Sequence, residues 1–145
     1  ALVLLRAMED ATDRVESFEL LPEEALQRVV GHIPGARQPL GQTHPWHVLV
    51  EATAVSGGAE TPSDLLQRLI APALDSGLVS DAVISANEGQ AEAFWRLRDS
   101  VSEAERASGV AAQHDVSVPV DDMPRFMIEA AAEVERTFPG TEAFG

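Results

Sequence analysis

Hydrophobic and polar residues alternate in four short segments of this sequence, and a period of two residues is typical of half-buried β-strands. The segments are residues 15–20, 46–54, 80–86 and 114–120. In the second segment, the side chains of Trp46, Val48 and Val50 would all point to one face of a sheet. A fifth extended segment starts at Glu142 and continues to Phe144. The pattern therefore predicts strands along the whole chain.

Between these segments, apolar residues recur every three or four positions, which predicts amphipathic helices. The helical segments are residues 1–14, 22–31, 61–74, 87–108 and 121–138. Their ends carry the expected signals, because Pro22 fits a first turn, Thr61 fits an N-cap and Gly109 fits a helix end. Pro72 is predicted to kink or end the third of these helices.

The predicted strands and helices alternate along the chain, and this order is compatible with either a parallel or an antiparallel sheet. Strands of a parallel sheet are usually apolar throughout, whereas these strands are apolar on one face only. We therefore predict an α+β fold, with a ferredoxin-like antiparallel sheet and helices packed on one face. The sequence begins and ends inside predicted elements, so we expect it to be part of a longer protein.

The sequence is strongly acidic, with 24 Asp and Glu residues against 10 Lys and Arg, and its net charge is −14 at pH 7. Such a surface repels polyanions, so we predict no nucleic-acid partner. The apolar start of the chain is too short for a membrane span. No cysteine is present, which excludes thiol catalysis and cysteine-ligated metals within the sequence. An acidic, cysteine-free domain of this kind predicts a cytoplasmic location.

His44 and His47 form the first candidate site, because two imidazoles three residues apart could share a metal ion. They lie where a loop enters a strand, and this spacing suits a helix better. We therefore interpret them as exposed structural residues and expect no metal in this chain. No glycine motif for nucleotide phosphates follows a predicted strand.

The second candidate is an anion site. Arg98 and Ser102 are four residues apart on one predicted helix, so both project from the same side. Gln113 and His114 begin the next predicted strand after a short turn. A guanidinium beside these polar groups could hold a carboxylate. The alternative is that Arg98 forms a surface ion pair with a nearby acidic residue, namely Glu92, Glu105 or Asp115.

Residues 94–127, FWRLRDSVSEAERASGVAAQHDVSVPVDDMPRFM, resemble the C-terminal domain of FAD-linked oxidases of the D-lactate, D-2-hydroxyglutarate and glycolate dehydrogenase type. The segments VESFELL and HPWHVLVEA resemble the first two strands of that domain. The resemblance extends over residues 1–145, which we therefore interpret as one partial domain. The flavin-binding domain and the terminal histidine motif of the family are absent from this sequence.

The resemblance implies an FAD-dependent enzyme that oxidises a D-2-hydroxy acid to the 2-keto acid. It implies substrate binding by Arg98, Ser102, Gln113 and His114, with Arg98 on the substrate carboxylate. Gln113 stands where the family often has lysine, so one positive charge is missing. Catalytic residues are expected after Gly145, and a divalent metal is expected only in the full-length protein.

The resemblance also implies that FAD is bound mainly by the absent domain, so the isolated chain is expected to be inactive. The expected partners are this FAD domain, a small 2-hydroxy acid and a second copy of the chain joined by strand pairing. The alternative is a small-molecule-binding regulatory or oligomerisation module with the same ferredoxin-like fold, because one fold can serve many functions.

Overall fold

The computed structural model describes residues 1–143. In chain order the elements of this part are α1 Leu2–Ala11, β1 Val15–Pro22, α2 Glu23–His32, β2 Trp46–Ala52, α3 Pro62–Asp75, α4 Glu88–Asp99, α5 Val101–Ser108, a 3₁₀ turn Val120–Asp122 and α6 Met123–Thr137. The predicted fifth strand is only partly covered, because Phe144 lies outside the described residues. None of the described helices combines the length and apolar character that crossing a lipid bilayer requires.

Strands β1 and β2 form an antiparallel pair in which Phe18 lies opposite Val50 and Leu20 lies opposite Val48. The register shifts between Val15 and Ser17, as it does at a β-bulge. The shift changes which side chains share a face, so Val15 and Phe18 pack against the same apolar cluster although they are three positions apart. One face of the sheet is therefore continuously apolar.

This apolar face packs against helices α1 and α3. Leu4 and Met8 from α1 and Ala73 from α3 form the buried centre of the contact, and Phe18 and Val50 from the sheet pack around it. Burying a side chain the size of Met8 stabilises a fold by about 1.5–3 kcal/mol. The sheet is thereby fixed to both helices.

A second apolar cluster joins helix α2 to helices α4 and α5. Leu26 and Val29 from α2 pack with Leu97 from α4 and Ala104 from α5. Val29 and Ala104 have no solvent-exposed surface. Because Leu97 is held in this cluster, the backbone of the next residue, Arg98, has a fixed position relative to α2.

The predicted α+β class with an antiparallel sheet is confirmed, but two of the predicted strands are wrong. Residues 80–86 and 114–120 do not form strands. An alternating pattern can cover a sheet face, but a strand also needs a neighbouring strand for its backbone hydrogen bonds. The described residues supply no such neighbour here. Val83 and Val116, which alternation would place against a core, are 46% and 60% exposed.

The helix predicted at residues 87–108 is divided into α4 and α5, which meet at Ser100. The backbone of Ser100 stays in the right-handed helical region, with φ −84° and ψ −2°, but its ψ is less negative than in a regular α-helix. Hydrogen bonding nevertheless continues through the junction, from Ser100 N to Arg96 O at 3.1 Å and from Ala104 N to Ser100 O at 2.9 Å. The predicted end at Gly109 is confirmed, because that glycine follows α5 with a positive φ of 148°.

The start of helix α3 agrees with its sequence signals. Thr61 caps the helix, because its Oγ1 accepts a hydrogen bond from Asp64 N at 3.1 Å. Pro72 does not end the helix, which continues to Asp75.

The chain divides into two compact units, the first ending at Val110 and the second starting at Ala111. Both strands and helices α2–α5 belong to the first unit. The second unit contains the 3₁₀ turn and α6, and no residue of α6 is buried. Ion pairs one turn apart lie along this helix, including Arg125 with Glu129 at 3.3 Å.

In the first unit, two arginines bind the carboxylate of Glu60. Arg14 lies just before β1 and Arg68 lies in α3, so Glu60 joins the segments around these two elements. Arg14 Nη1 donates to Glu60 Oε2 at 2.8 Å, and Arg68 Nε donates to Glu60 Oε1 at 2.9 Å. Arg14 Nε also donates to the carbonyl of Thr53 at 2.9 Å. The hydrogen bond from Arg68, together with the charges of both arginines, lowers the pKa of Glu60.

We expect Glu60→Gln to lower the melting temperature near neutral pH and to flatten its dependence on pH. Folding lowers the pKa of Glu60 below its ordinary value of 4.5. Its stabilising contribution is therefore complete above that value and is lost as the pH falls through the lower pKa of the folded state. Thermal melting from about pH 7 to about pH 3 measures this, with Glu16→Gln, an exposed residue of β1, as control. The same pH dependence in wild type and Glu60→Gln would contradict the prediction.

Candidate carboxylate-binding site

Arg98 lies in the last turn of helix α4 and reaches strand β1. Its Nε donates a hydrogen bond to Glu19 Oε2 at 3.2 Å, and its Nη1 lies 3.6 Å from Asp99 Oδ1. The side chain of Arg98 is 44% exposed, so it is accessible from solvent. Its position also suits the helix, because a cation in the last turn interacts favourably with the helix dipole.

The alternation of strand β1 places Glu19 beside Arg98. Phe18 and Leu20 are on the apolar face, where Phe18 contacts the α1–α3 cluster, so Glu19 between them points to the opposite face. The predicted ion-pair alternative named Glu92, Glu105 and Asp115 as partners of Arg98, whereas its partners are Glu19 and Asp99. Sequence reasoning missed Glu19 because it lies 79 residues away along the chain.

The guanidinium of Arg98 retains donors for a further ligand. An arginine has five N–H groups, and only Nε of Arg98 donates to Glu19. The four remaining N–H groups are on Nη1 and Nη2. In the described chain, Nη1 forms an ion pair with Asp99 at 3.6 Å. This terminal edge is suited to a two-pronged contact with a carboxylate.

Ser102 lies in the first turn of helix α5, four residues after Arg98, and is exposed. The break at Ser100 separates the two residues into different helices, although both helices pack on α2 through Leu97 and Ala104. Arg98 and Ser102 thus belong to one rigid part of the first unit.

Gln113 and His114 lie in the extended stretch that begins the second unit, and both residues are exposed. They are not in a strand, in contrast to the prediction for residues 114–120. That they share a site with Arg98 and Ser102 stays a prediction.

A groove of about 520 Å³ runs between helix α4 and strand β2. Its polar lining is mainly acidic, with Glu51, Glu88, Glu92 and Asp99, and Arg96 is its basic residue. Arg96 Nη2 donates to the carbonyl of Pro34 at 3.1 Å. Four carboxylates around one engaged arginine would repel an anion, so this groove is not the carboxylate site.

The interpretation of His44 and His47 as exposed residues is wrong. The side chain of His47 is 8% exposed, and its Nε2 forms a short hydrogen bond with Oε2 of the buried Glu23. Glu23 Oε1 also accepts hydrogen bonds from Gln27 Nε2 at 2.9 Å and from Gln38 Nε2 at 3.2 Å. This network, in which Glu23 and the His47 side chain are buried and Gln27 and Gln38 are exposed, joins the start of α2, the following loop and β2.

The network results from strand register, which the sequence alone does not reveal. Leu21 pairs with His47, and Pro22 pairs with Trp46, so Glu23 at the start of α2 follows directly beside His47. A buried polar group is costly unless it is hydrogen-bonded, and both carboxylate oxygens of Glu23 have hydrogen-bond partners.

His44 lies next to this network. Its ring centroid is 6.1 Å from that of His47, its Nδ1 is 3.2 Å from Ser80 Oγ and its Nε2 is 4.0 Å from Asp81 Oδ2. Among the described residues, no three His, Asp or Glu side chains are arranged to hold a metal ion. The contact of His47 with Glu23 joins strand β2 to the start of helix α2.

The N-termini of helices α2, α3 and α4 lack the features of a phosphate-binding helix start. Such sites use free backbone N–H groups and a glycine-rich approach. Helix α2 begins with the acidic residues Glu23 and Glu24. The starts of α3 and α4 are capped by the side chains of Thr61 and Asn87.

Comparison with known proteins agrees with the resemblance noted in the sequence. A profile of the family described as "FAD linked oxidases, C-terminal domain" matches residues 1–144. A D-2-hydroxyglutarate dehydrogenase from Xanthomonas citri pv. viticola is 35% identical over 126 residues, which are 87% of this chain and 25% of that protein. The mitochondrial D-2-hydroxyglutarate dehydrogenase of Arabidopsis thaliana is 31% identical over 122 residues, or 83% of this chain and 21% of that protein.

A protein of Schizosaccharomyces pombe named putative mitochondrial D-lactate dehydrogenase is 31% identical over 111 residues, or 75% of this chain and 20% of that protein. The chain thus spans about a fifth to a quarter of the length of these relatives. Because the family profile matches almost every residue, this chain belongs to the family of FAD linked oxidases, C-terminal domain.

Proposed function

We propose that this chain is the part of an FAD-dependent D-2-hydroxyacid dehydrogenase that binds the substrate carboxylate. The family membership supports the use of FAD. The names of the relatives support oxidation of a D-2-hydroxy acid to the corresponding 2-keto acid. FAD accepts the hydride in this chemistry, and we assign its binding to a separate domain of the full-length protein.

The observation that carries this proposal is the geometry of Arg98. Its terminal N–H groups are available at the surface of the first unit, while Glu19 holds its Nε. A carboxylate bound in a two-pronged manner would be oriented as well as attracted, which a hydride transfer requires of its substrate. The overall charge of −14 does not prevent this, because one arginine determines the potential at contact distance.

We propose that Ser102, Gln113 and His114 complete the site. The hydroxyl of Ser102 would add one hydrogen bond to the same carboxylate. The amide of Gln113 and the imidazole of His114 would contact the rest of the substrate in the full-length enzyme. The amide donates hydrogen bonds without charge, so Gln113 would influence the choice among D-2-hydroxyglutarate, D-lactate and glycolate.

We further propose a cytoplasmic location and a homodimer joined through strand pairing. Among the described strands, β1 and β2 pair only with each other, so each has one edge that no other described strand covers. Such an edge can pair with another strand. This same observation favours the second candidate function, an oligomerisation or small-molecule-binding module.

We expect the isolated chain to be colourless and inactive toward D-lactate and D-2-hydroxyglutarate. The reason is that we assign FAD binding to a separate domain, and the sequence has no glycine motif for nucleotide phosphates after a predicted strand. Absorbance near about 450 nm and a dye-reduction assay measure both properties. Bound flavin in a one-to-one ratio with the purified chain would contradict the assignment of FAD to another domain.

We expect the isolated chain to form a dimer whose interface includes a sheet edge. Sedimentation equilibrium measures the mass. A proline in place of Leu20 on β1 or of Val48 on β2 tests each edge, because these residues are not a hydrogen-bonded pair between the two strands and their N–H groups point outward. Circular dichroism shows whether each variant still folds. A monomer at about 100 μM would refute strand-mediated dimerisation.

We expect Arg98→Ala to lower kcat/KM of the full-length enzyme by about 30- to 1000-fold. A charge-assisted contact in a closed site contributes on the order of 2–4 kcal/mol, and each 1.4 kcal/mol is about one factor of ten. Arg98→Lys should restore only part of the loss, because an ammonium lacks the planar fork. Ser102→Ala should cost about 5- to 30-fold, since it removes one hydrogen bond.

Steady-state kinetics and thermal melting of the same variants separate binding from folding. The ion pairs of Arg98 are partly exposed, so the melting temperature should hardly change. Normal kcat/KM in Arg98→Ala would refute the proposed function of this residue. A large fall in melting temperature together with activity would instead support a purely structural role.

A further inference from the structure

Glu19 binds Nε of Arg98, the proposed substrate-binding arginine, and leaves the terminal nitrogens Nη1 and Nη2 for a ligand. It binds Nε of Arg98 at 3.2 Å from strand β1, and this contact joins residues 79 positions apart. Arginine side chains have many rotamers, and fixing one costs conformational entropy. A carboxylate on a rigid strand therefore removes part of the ordering that substrate binding would otherwise require.

The stability of the fold does not explain this pair. Glu19 and Arg98 are 34% and 44% exposed, and exposed ion pairs contribute little to folding. The apolar clusters already fix both backbones, because Phe18 packs against the α1–α3 cluster and Leu97 packs in the α2–α4–α5 cluster. The pair therefore acts mainly on the direction of the Arg98 side chain.

We propose that Glu19 is a positioning residue for the substrate carboxylate, and this inference rests on the proposed function of Arg98. By accepting the hydrogen bond from Nε, Glu19 directs the Nη1–Nη2 edge of the guanidinium to the substrate. The carboxylate would then bind end-on to the two terminal nitrogens. Asp99 has a lesser role, because its contact with Nη1 is longer, at 3.6 Å, and its side chain is 65% exposed.

A merely structural role for Glu19 would give different kinetics. If Glu19 acts through Arg98, its loss should raise KM more than it lowers kcat, because the misdirected arginine binds the carboxylate less well. The loss should also disappear when Arg98 is absent, since residues that act through one contact are not additive. A structural residue would lower the activity by the same factor in both backgrounds.

The experiment compares Glu19→Ala, Glu19→Gln, Arg98→Ala and the Glu19→Ala/Arg98→Ala double variant in the full-length enzyme. We expect Glu19→Ala to lower kcat/KM by about 5- to 30-fold, mostly through KM, as for the loss of one charged hydrogen bond. Glu19→Gln retains an acceptor and should lie within about 3-fold of wild type. In the Arg98→Ala background, Glu19→Ala should change kcat/KM by less than about 2-fold.

An inhibition constant and a control variant test whether Glu19 acts on carboxylate binding or on folding. The inhibition constant of oxalate, a small dicarboxylate, should rise in Glu19→Ala by about the same factor as KM. Glu16→Ala, an exposed residue on the same strand, is the matched control and should match wild type in kinetics and melting temperature. A Glu19→Ala protein that does not fold would indicate a structural role for Glu19 and would overturn the inference.

The outcomes distinguish the inference from the function on which it rests. An impaired Arg98→Ala with an unimpaired Glu19→Ala, or with additive losses in the double variant, overturns the positioning role alone. Normal kcat/KM in Arg98→Ala overturns the proposed function and the positioning role together.

Discussion

Strand β1 has two different faces, and the rest of the first unit depends on this difference. Phe18 on one face packs against the cluster that Leu4, Met8 and Ala73 form in helices α1 and α3. Glu19 on the other face binds Arg98 of helix α4. Because successive strand residues point in opposite directions, one short segment both anchors the core and reaches the candidate site. The candidate site is therefore attached directly to a strand that packs against the α1–α3 cluster.

The same strand pair also creates the polar network around Glu23. Its register brings Glu23 at the start of α2 beside His47 of β2, and Gln27 and Gln38 add two more donors to the carboxylate. A buried carboxylate without these partners would destabilise the fold by several kcal/mol. The network therefore favours one register over its neighbours, because a shift by one residue would turn His47 to the other face and remove it from Glu23.

Electrostatics differ between the whole chain and its candidate site. The net charge of −14 disfavours long-range attraction of any anion, and the acidic groove along α4 reinforces this. At contact distance, the directed donors of Arg98 outweigh the distant charges, which solvent screens over about 10 Å. A site of this kind selects a ligand by the geometry of its carboxylate more than by its charge. Glu19 and Asp99 increase that selectivity, because they partly neutralise the arginine.

The sequence by itself determined the α+β class, the family, most helix positions and the pairing-competent strands at residues 15–20 and 46–54. These features depend on local spacing, on capping residues such as Thr61 and on apolar periodicity, all of which can be read along the chain. Tertiary structure alone decided that residues 80–86 and 114–120 do not form strands within the described chain, since a strand needs a partner and not only a pattern. Tertiary structure also decided the partners of Arg98 and Glu23. Glu19 contacts Arg98 only when helix α4 packs near strand β1, and His47 contacts Glu23 only when the two strands pair. Both contacts join residues far apart in the chain, and the spacing of residues along a sequence does not reveal such contacts.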